Sequence, residues 1–299
     1  MRPGLGERLV VRPVGRMQVA AGDNAPTAAG RFPLVVLTPG MGNNPVEQTV
    51  VASGLASLGY LVAVPSPTYS ADVTVLNGTV VRATAAGQRV PGNQSVLTPL
   101  WVRHEHFTTD RVMSANADPA SPFYNHIQVG KVAYAGHSFG GATAVQACAT
   151  DRRCAAAVDV DGAFFGAPVT RTGLNRPLLI IASQGSCVAG RCSRSAADHD
   201  ELADARDVLQ HSTGVRDVVE VQGAKHTNFT DLGVWYYAEP IRFALQATGV
   251  FGQIDGELAL RSELNCIAAF LDTQLRGASS NALAKAITKN PAARLMPLP

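Results

Sequence analysis

Residues 131–148 contain the feature that most restricts how this chain can fold, a Gly-x-Ser-x-Gly pattern between an apolar run and a stretch of small residues. The run Lys131–Gly136 predicts a strand, and Gly140–Cys148 predicts a helix. A serine at such a junction occupies a sharp turn that holds its hydroxyl above the end of the strand. Glycines beside it leave room for the strand and the helix to approach. The pattern therefore predicts a nucleophile elbow with Ser138 at its apex.

Strands and helices alternate along most of the remaining chain. Further strands are predicted at Phe32–Gly40, Leu61–Val64, Cys154–Asp159, Pro177–Ala182 and Asp217–Val221, and further helices at Pro45–Leu58, Glu201–Gln210 and Glu257–Leu275. Apolar strands that alternate with helices form parallel sheets covered on both faces. We therefore predict an α/β-hydrolase fold with a mostly parallel central sheet and helices on both faces. No internal linker is apparent in the composition, so we expect a single domain over residues 1–299.

Two stretches depart from this alternation. From about residue 65 to 99, prolines interrupt polar and β-branched residues, which predicts an insertion. Within it, Asn77-Gly78 predicts the tight turn of a hairpin over Val73–Val81. This hairpin is either surface decoration or a lid over a site. From about residue 278 the sequence has no period, which predicts a loose C-terminal tail.

Charge and hydropathy exclude several classes of partner. The 25 Lys and Arg residues nearly balance the 23 Asp and Glu residues, and they are scattered, so we expect no nucleic-acid partner. No apolar run approaches the roughly 20 residues that cross a bilayer, so we expect no transmembrane segment. The start MRPGLGERLVV lacks the apolar core of a signal peptide. The sequence leaves the oligomeric state open.

The five cysteines form two close pairs, Cys148 with Cys154 and Cys187 with Cys192, and a lone Cys266. If the first pair is bridged, so short a loop stabilises the fold by about 2 to 3 kcal/mol. Bridged pairs would also indicate an extracellular or periplasmic protein. The alternative is free thiols in a cytosolic protein. No Cys or Cys/His spacing indicates zinc, so we expect no metal.

A catalytic serine needs a histidine as base, and the chain has seven histidines. We favour His226, because it follows the last clear strand in VQGAKHTNFTD, where a loop can return it to the elbow. His137 lies inside the elbow and is expected to pack behind the site. His104 and His106 suggest either a metal pair or surface residues, and no third ligand is near them in the sequence.

The triad also needs a carboxylate, and Asp159 and Asp161 both follow the strand after the elbow helix. If Asp159 ends the strand, Asp161 stands at its carboxyl-terminal tip, where loops converge on the site. Gly162 supplies the turn that aims it. We therefore predict Asp161 as the acid, with Asp159 as the alternative.

Acyl transfer further requires amide donors aimed at the developing oxyanion. One donor is normally the amide of the residue after the nucleophile, here Phe139. The second is expected after the first strand, where the Met41 amide lies between Gly40 and Gly42. The alternative is a plain glycine turn. A serine with these partners needs no metal or organic cofactor.

The chain resembles the platelet-activating factor acetylhydrolase family, the plasma-type phospholipases A2 and their bacterial relatives. The resemblance spans most of residues 30–277 and is carried by FPLVVLTPGMG, the strand Leu61–Val64, GHSFGGAT, VDVDGAFF, KHTNFTD and the last amphipathic helix. It implies Asp161 as the acid and the Met41 and Phe139 amides as the oxyanion hole. Pro39 departs from the histidine that relatives commonly have there, and residues 65–99 have no clear counterpart.

This resemblance implies a serine esterase that forms an acyl-enzyme on acetyl or other short-chain esters, with a small-molecule or lipid ester as substrate. A secreted lipase or polyester hydrolase with the same mechanism is the alternative. A noncatalytic binding module is the alternative of another class, because fold alone does not fix function.

Overall fold

The computed structural model describes residues 21–88, 94–190, 192, 196–235 and 241–299. The start MRPGLGERLVV, on which the signal-peptide expectation rests, lies outside the described residues. The strands are β1 (Phe32–Thr38), β2 (Leu61–Ala63), β3 (Val73–Leu76), β4 (Thr79–Arg82), β5 (Ile127–His137), β6 (Cys154–Val160), β7 (Leu178–Ser183), β8 (Arg216–Val221) and β9 (Ala293–Met296).

The helices alternate with these strands over most of the chain. They are α1 (Thr49–Ser57), α2 (Gln94–Ala117), α3 (Phe139–Thr150), α4 (Val169–Thr172), α5 (Ala196–His211), α6 (Leu232–Trp235), α7 (Ile241–Ala247), α8 (Gly256–Arg276) and α9 (Ala282–Thr288). Short 3₁₀ turns cover Pro45–Gln48, Cys187–Ala189 and His226–Phe229. In the described part of the chain, no helix is long and apolar enough to span a membrane.

The main sheet has the strand order β2-β1-β5-β6-β7-β8-β9. The pairs from β2 through β8 are parallel, and only the edge pair of β8 with β9 is antiparallel. Parallel order brings the carboxyl-terminal ends of the inner strands to one edge, where loops assemble a site. The mostly parallel α/β-hydrolase fold is therefore confirmed.

Both faces of the sheet are covered, as β1 illustrates. Val35 and Leu37 point into a core shared with α1 and α8, whereas Leu34 and Val36 point into a core shared with α3 and α5. All four side chains are fully buried. A strand buried on both faces has no polar side to alternate with, which explains its continuous apolar sequence.

The prediction of a loose C-terminal tail from about residue 278 is wrong. The residues of α9 form a helix that buries Leu283, and β9 pairs with β8 in the register Val219 opposite Leu295. A four-residue edge strand has too few side chains to show a period of its own. Its position is set by the free backbone edge of β8, which local sequence does not reveal.

The predicted hairpin in the insertion is confirmed. β3 and β4 pair antiparallel with Val75 opposite Val80, and Asn77 and Gly78 both have positive φ in the turn. The insertion ends sooner than predicted, because residues 94–99 already belong to α2 and Pro99 lies inside that helix. Buried Leu97 and Trp101 anchor this helix, so tertiary packing outweighs the proline. A lid function for residues 65–99 stays a prediction.

Both predicted cysteine pairs are bridged, Cys148 to Cys154 and Cys187 to Cys192. The alternative of free thiols at these four positions is therefore wrong. Cys266 has a free thiol and is buried in α8. The first bridge ties the end of α3, the helix that follows Ser138, to the start of β6.

Candidate active site

Three residues distant in sequence meet at the carboxyl-terminal edge of the sheet. Nε2 of His226 lies 2.9 Å from Oγ of Ser138, and Nδ1 of His226 lies 2.7 Å from Oδ2 of Asp161. The structure thus brings together the predicted nucleophile, base and acid. The imidazole can accept the hydroxyl proton at Nε2 while its Nδ1–H donates to the carboxylate.

Ser138 lies at a strained turn between β5 and α3. Its φ is 58° and its ψ is −130°, a conformation that a side-chain-bearing residue rarely adopts. The Ser138 N–H donates to the carbonyl of Val160 at 2.8 Å, which fixes the turn to β6. Strain of this kind persists only where surrounding structure enforces it.

The glycines of the elbow are required by close backbone contacts. A Cβ on Gly136 would lie 2.4 Å from the backbone of Gly140, and one on Gly140 would lie 2.4 Å from the carbonyl oxygen of Thr38. Real Cβ atoms do not approach so closely. The sequence pattern therefore reflects a junction at which β1, β5 and α3 meet without room for a methyl group.

Asp161 directly follows β6 and has a positive φ of 56°. Its Oδ1 accepts from the amide of Ser183 at 2.8 Å, and its Oδ2 accepts from His226. Burial alone would raise the pKa of this carboxyl, but the hydrogen bond and charge of His226 and the Ser183 amide hold it below its usual value. Asp161 is therefore a carboxylate at neutral pH, as an acid that orients an imidazole must be.

Asp159, the alternative acid, lies at a different place. Its Oδ1 accepts from the amide of Gly162 at 3.0 Å, and a Cβ on Gly141 would lie 2.0 Å from that same oxygen. Burial raises the pKa of Asp159 well above its usual value, and the charge of Asp161 adds to this. Asp159 packs beneath the elbow helix and supports the loop that carries Asp161.

The loop that carries His226 is held by side chains that the sequence interpretation missed. Oδ1 of Asn228 accepts from the amides of Lys225 at 2.8 Å and Gly252 at 2.7 Å. The carboxylate of Asp231 accepts from the amide of Val50 at 3.1 Å. Both residues lie in the motif HTNFTD, which begins with the base, and polar residues so close to a functional histidine were the available signal.

The loop that carries Met41 is held by the insertion. The Gly42 N–H donates to the carbonyl of Ser70 at 3.1 Å, and the Asp72 N–H donates to the carbonyl of Gly42 at 2.9 Å. Met41 and Phe139, whose amides are the predicted oxyanion donors, both line the cleft that contains Ser138. The segment before the hairpin therefore fixes the backbone next to one predicted donor.

The cleft above Ser138 has a volume of about 550 Å³ and a mixed lining. Met41, Phe139 and Phe165 form an apolar wall, and Trp101 packs edge-to-face behind Phe139 with ring centroids 4.9 Å apart. The lining also includes polar and charged residues, namely Ser183, Gln184, Ser186, Glu201 and Lys225. Such a cleft suits a substrate with one apolar part and one polar part.

Three of the other histidines that the sequence singled out, His104, His106 and His137, do not belong to the triad. His104 and His106 are half-buried on α2, where Nε2 of His106 lies 3.1 Å from the carbonyl of Ala147. Within the ranges that the structure describes, no group of three or more His, Cys, Asp or Glu side chains could hold a metal ion. His137 is buried behind His226, where the sequence analysis expected it to pack.

The chain matches a known protein family and a curated protein. The model of the family described as platelet-activating factor acetylhydrolase, isoform II, matches residues 68–284. A probable 1-alkyl-2-acetylglycerophosphocholine esterase from Arthroderma benhamiae is 30% identical over 145 residues, which cover 48% of this chain and 34% of that protein. The match thus spans about a third of the length of this curated relative.

Among solved structures, the chain is similar to a ferulic acid esterase from Streptomyces cinnamoneus. The two superpose with a TM-score of 0.73 at 27% sequence identity, over 92% of this chain and 76% of that one.

Proposed function

The chain belongs to the platelet-activating factor acetylhydrolase isoform II family, and from this premise we propose that it is a serine hydrolase of carboxylic esters. The observation that supports the proposal most strongly is the pair of hydrogen bonds that His226 makes to Ser138 and Asp161. Both ring nitrogens of the base are used, one toward the nucleophile and one toward a buried carboxylate.

In the proposed reaction, Nε2 of His226 takes the proton of the Ser138 hydroxyl as Oγ attacks the ester carbonyl. Asp161 orients the imidazole and stabilises the imidazolium that forms. The amides of Met41 and Phe139 donate to the tetrahedral oxyanion. The imidazolium then gives its proton to the leaving alcohol, and an acyl-enzyme remains on Ser138.

Hydrolysis of the acyl-enzyme repeats these steps with water as the nucleophile. Nε2 of His226 takes a proton from the water as its oxygen attacks the acyl carbonyl, and then returns the proton to Oγ of Ser138. Nε2 of His226 thus carries every proton transfer in the cycle, and the two backbone amides stabilise the oxyanion without transferring a proton.

For the substrate we propose acetyl or other short-chain esters. The curated relative is named for an acetylated glycerophosphocholine and the structural relative for ferulic acid, so both act on esters by their names. The apolar wall of Met41, Phe139 and Phe165 offers a surface for an apolar part of the substrate, and the polar lining residues suit a hydrogen-bonding part. Hydrolysis of longer lipids or polyesters by the same chemistry is the second candidate.

For the location we propose an extracellular or periplasmic compartment. The two disulfides support it, because such bonds form and persist in oxidising surroundings.

The test is a series of p-nitrophenyl esters of increasing acyl length, with methyl ferulate as an aromatic member. We expect kcat/KM to be highest for acetate or butyrate and to fall steeply for longer chains. A rise toward long chains would favour the lipase candidate, and a preference for ferulate would assign the apolar wall to aromatic acids. The matched control, Ser138→Ala, should lower kcat by about a millionfold on every ester.

A further inference from the structure

The ring of His137 lies between the oxyanion loop and the base. It is 2% exposed, and its centroid is 4.6 Å from that of the His226 ring. A Cβ on Gly40 would lie 3.1 Å from Nδ1 of His137, so the ring also lies next to the loop that precedes Met41. One side chain is thus adjacent to two parts of the proposed machinery.

His137 also bonds to the backbone of the base. Its Nε2 lies 3.1 Å from the carbonyl oxygen of His226. A carbonyl only accepts, so Nε2 of His137 carries the proton and donates. Nδ1 then holds the lone pair, and among the described residues it has no hydrogen-bond partner.

The base itself has little other support on its open side. The His226 side chain is 51% exposed, and it belongs to a short 3₁₀ turn after β8. When the imidazolium turns its Nε2–H from Ser138 to the leaving group, the ring keeps only its bond to Asp161. A second restraint on the same residue would hold the imidazole in place during that step.

We propose that His137 is a positioning residue for the base: its Nε2–H holds the His226 carbonyl, and its ring packs against the His226 ring. This inference rests on the proposed function of Ser138 and His226. The ring does not touch the reacting atoms, so it acts only through His226.

A neutral ring suits this role. Burial and, to a smaller extent, the positive charge of His226 together lower the pKa of His137 to about 3. His137 therefore stays uncharged at the pH of the reaction, and it does not repel the imidazolium that forms beside it.

Two substitutions separate the two contacts. His137→Phe keeps a ring against His226 and removes the donor, whereas His137→Gln keeps a donor at the position of Nε2 and removes the ring. We expect His137→Phe to lower kcat on p-nitrophenyl acetate by about tenfold with little change in KM, because one neutral hydrogen bond is lost. His137→Gln should recover most of that loss.

A second measurement reports on the base without turnover. The proton shared by Nδ1 of His226 and Asp161 gives a low-field proton NMR signal, which should broaden in His137→Phe and stay sharp in His137→Gln. Leu275→Ala is the control for destabilisation alone, because Leu275 is buried at the C-terminal end of α8. It should lower the melting temperature and leave kcat and the signal unchanged.

The inference is overturned if His137→Phe keeps wild-type kcat and a sharp low-field signal. It is also overturned if Leu275→Ala has the same melting temperature as His137→Phe and loses as much kcat as that variant. Failure of the proposed function would look different. In that case Ser138→Ala would retain the activity of the wild type, whatever the His137 variants do.

Discussion

The elbow and the hairpin both connect to the oxyanion loop, but they are held in opposite ways. At the elbow, Gly140 lies against the carbonyls of Thr38 and Pro39, and a methyl group has no room. At the hairpin, a Cβ on Gly78 would meet nothing within 4 Å, and Val75 and Val80 are 64% and 58% exposed. The elbow is fixed by excluded volume, whereas the hairpin is held by the pairing of its two strands and by a contact between the hydroxyls of Thr74 and Ser66.

The two regions should therefore differ in how well they tolerate substitutions. Close-packed backbone cannot relax, so small changes at the elbow act on both folding and the position of Ser138. The exposed hairpin has few side-chain contacts to lose. The expected effects of substitution should therefore fall steeply from the elbow and its supports to the hairpin.

The largest effect is expected for the acid that orients the base. Asp161→Asn should lower kcat by about ten-thousandfold, because the amide favours the wrong imidazole tautomer. Asp159→Asn, two residues away, should change kcat by only a few fold, because Asp159 bonds to the Gly162 amide and His226 bonds to Asp161. Steady-state kinetics on one ester measures both. Equal losses in the two variants would contradict the assignment of Asp161.

The next effect tests the excluded volume directly. Gly141→Ala should lower the free energy of unfolding by about 3 kcal/mol, because its Cβ would lie 2.0 Å from Oδ1 of Asp159 and 2.7 Å from the carbonyl oxygen of Gly136. Gly78→Ala is the matched control in open space, and only its positive φ should destabilise it, by about 1 kcal/mol. Urea denaturation compares the two variants. A larger loss of stability in Gly78→Ala than in Gly141→Ala would contradict the contrast between the elbow and the hairpin.

A smaller effect depends on pH and concerns Glu105, which lies on α2 beneath the elbow helix. Its carboxyl is fully buried and accepts from the Thr143 hydroxyl at 2.8 Å. Burial raises its pKa from 4.5 to about 8. Between these values the unfolded chain binds fewer protons than the folded one, so the stability of the wild type falls as pH rises.

Glu105→Gln removes this titration and keeps an acceptor for Thr143. Compared with the wild type, the variant should therefore gain stability between pH 6 and pH 8, on the order of 2 kcal/mol. Thermal unfolding across this range measures the difference between the two proteins. If the stabilities of the two proteins change with pH in parallel, the Glu105 carboxyl has the same pKa in the folded and unfolded states.

The smallest effect is expected at the hairpin. The double change Val75→Ser and Val80→Ser replaces exposed side chains that lie opposite each other, so the free energy of unfolding should change by about 0.5 kcal/mol or less. Turnover of p-nitrophenyl acetate should stay within twofold. A large loss of turnover on this soluble ester would show that the hairpin acts on the site and would support the lid interpretation.

The same contrast explains what could be predicted from the sequence. The elbow was predictable because its constraint is local: glycines at fixed positions around Ser138, between a strand and a helix. The sheet was predictable from the alternation of strands and helices for the same reason, and the hairpin turn was predictable from Asn77-Gly78. These features need no knowledge of distant residues.

Features set by distant contacts were not predictable. β9 forms because β8 offers a free edge, and α2 continues through Pro99 because Leu97 and Trp101 are buried. The bond from His137 to the His226 carbonyl and the burial of Glu105 likewise depend on packing between elements far apart in sequence. The residues could be noticed in the sequence, but their partners could not.

In the proposed mechanism, Ser138, activated by His226, is the one reactive hydroxyl of this site. Labelling of the full chain with a fluorophosphonate probe, followed by peptide mass spectrometry, tests it most directly. We expect close to one label per chain, located on Ser138, no label on Ser138→Ala, and labelling slowed at least a thousandfold in His226→Ala. A folded wild-type chain that stays unlabelled, or carries its label on another residue, would contradict the claim.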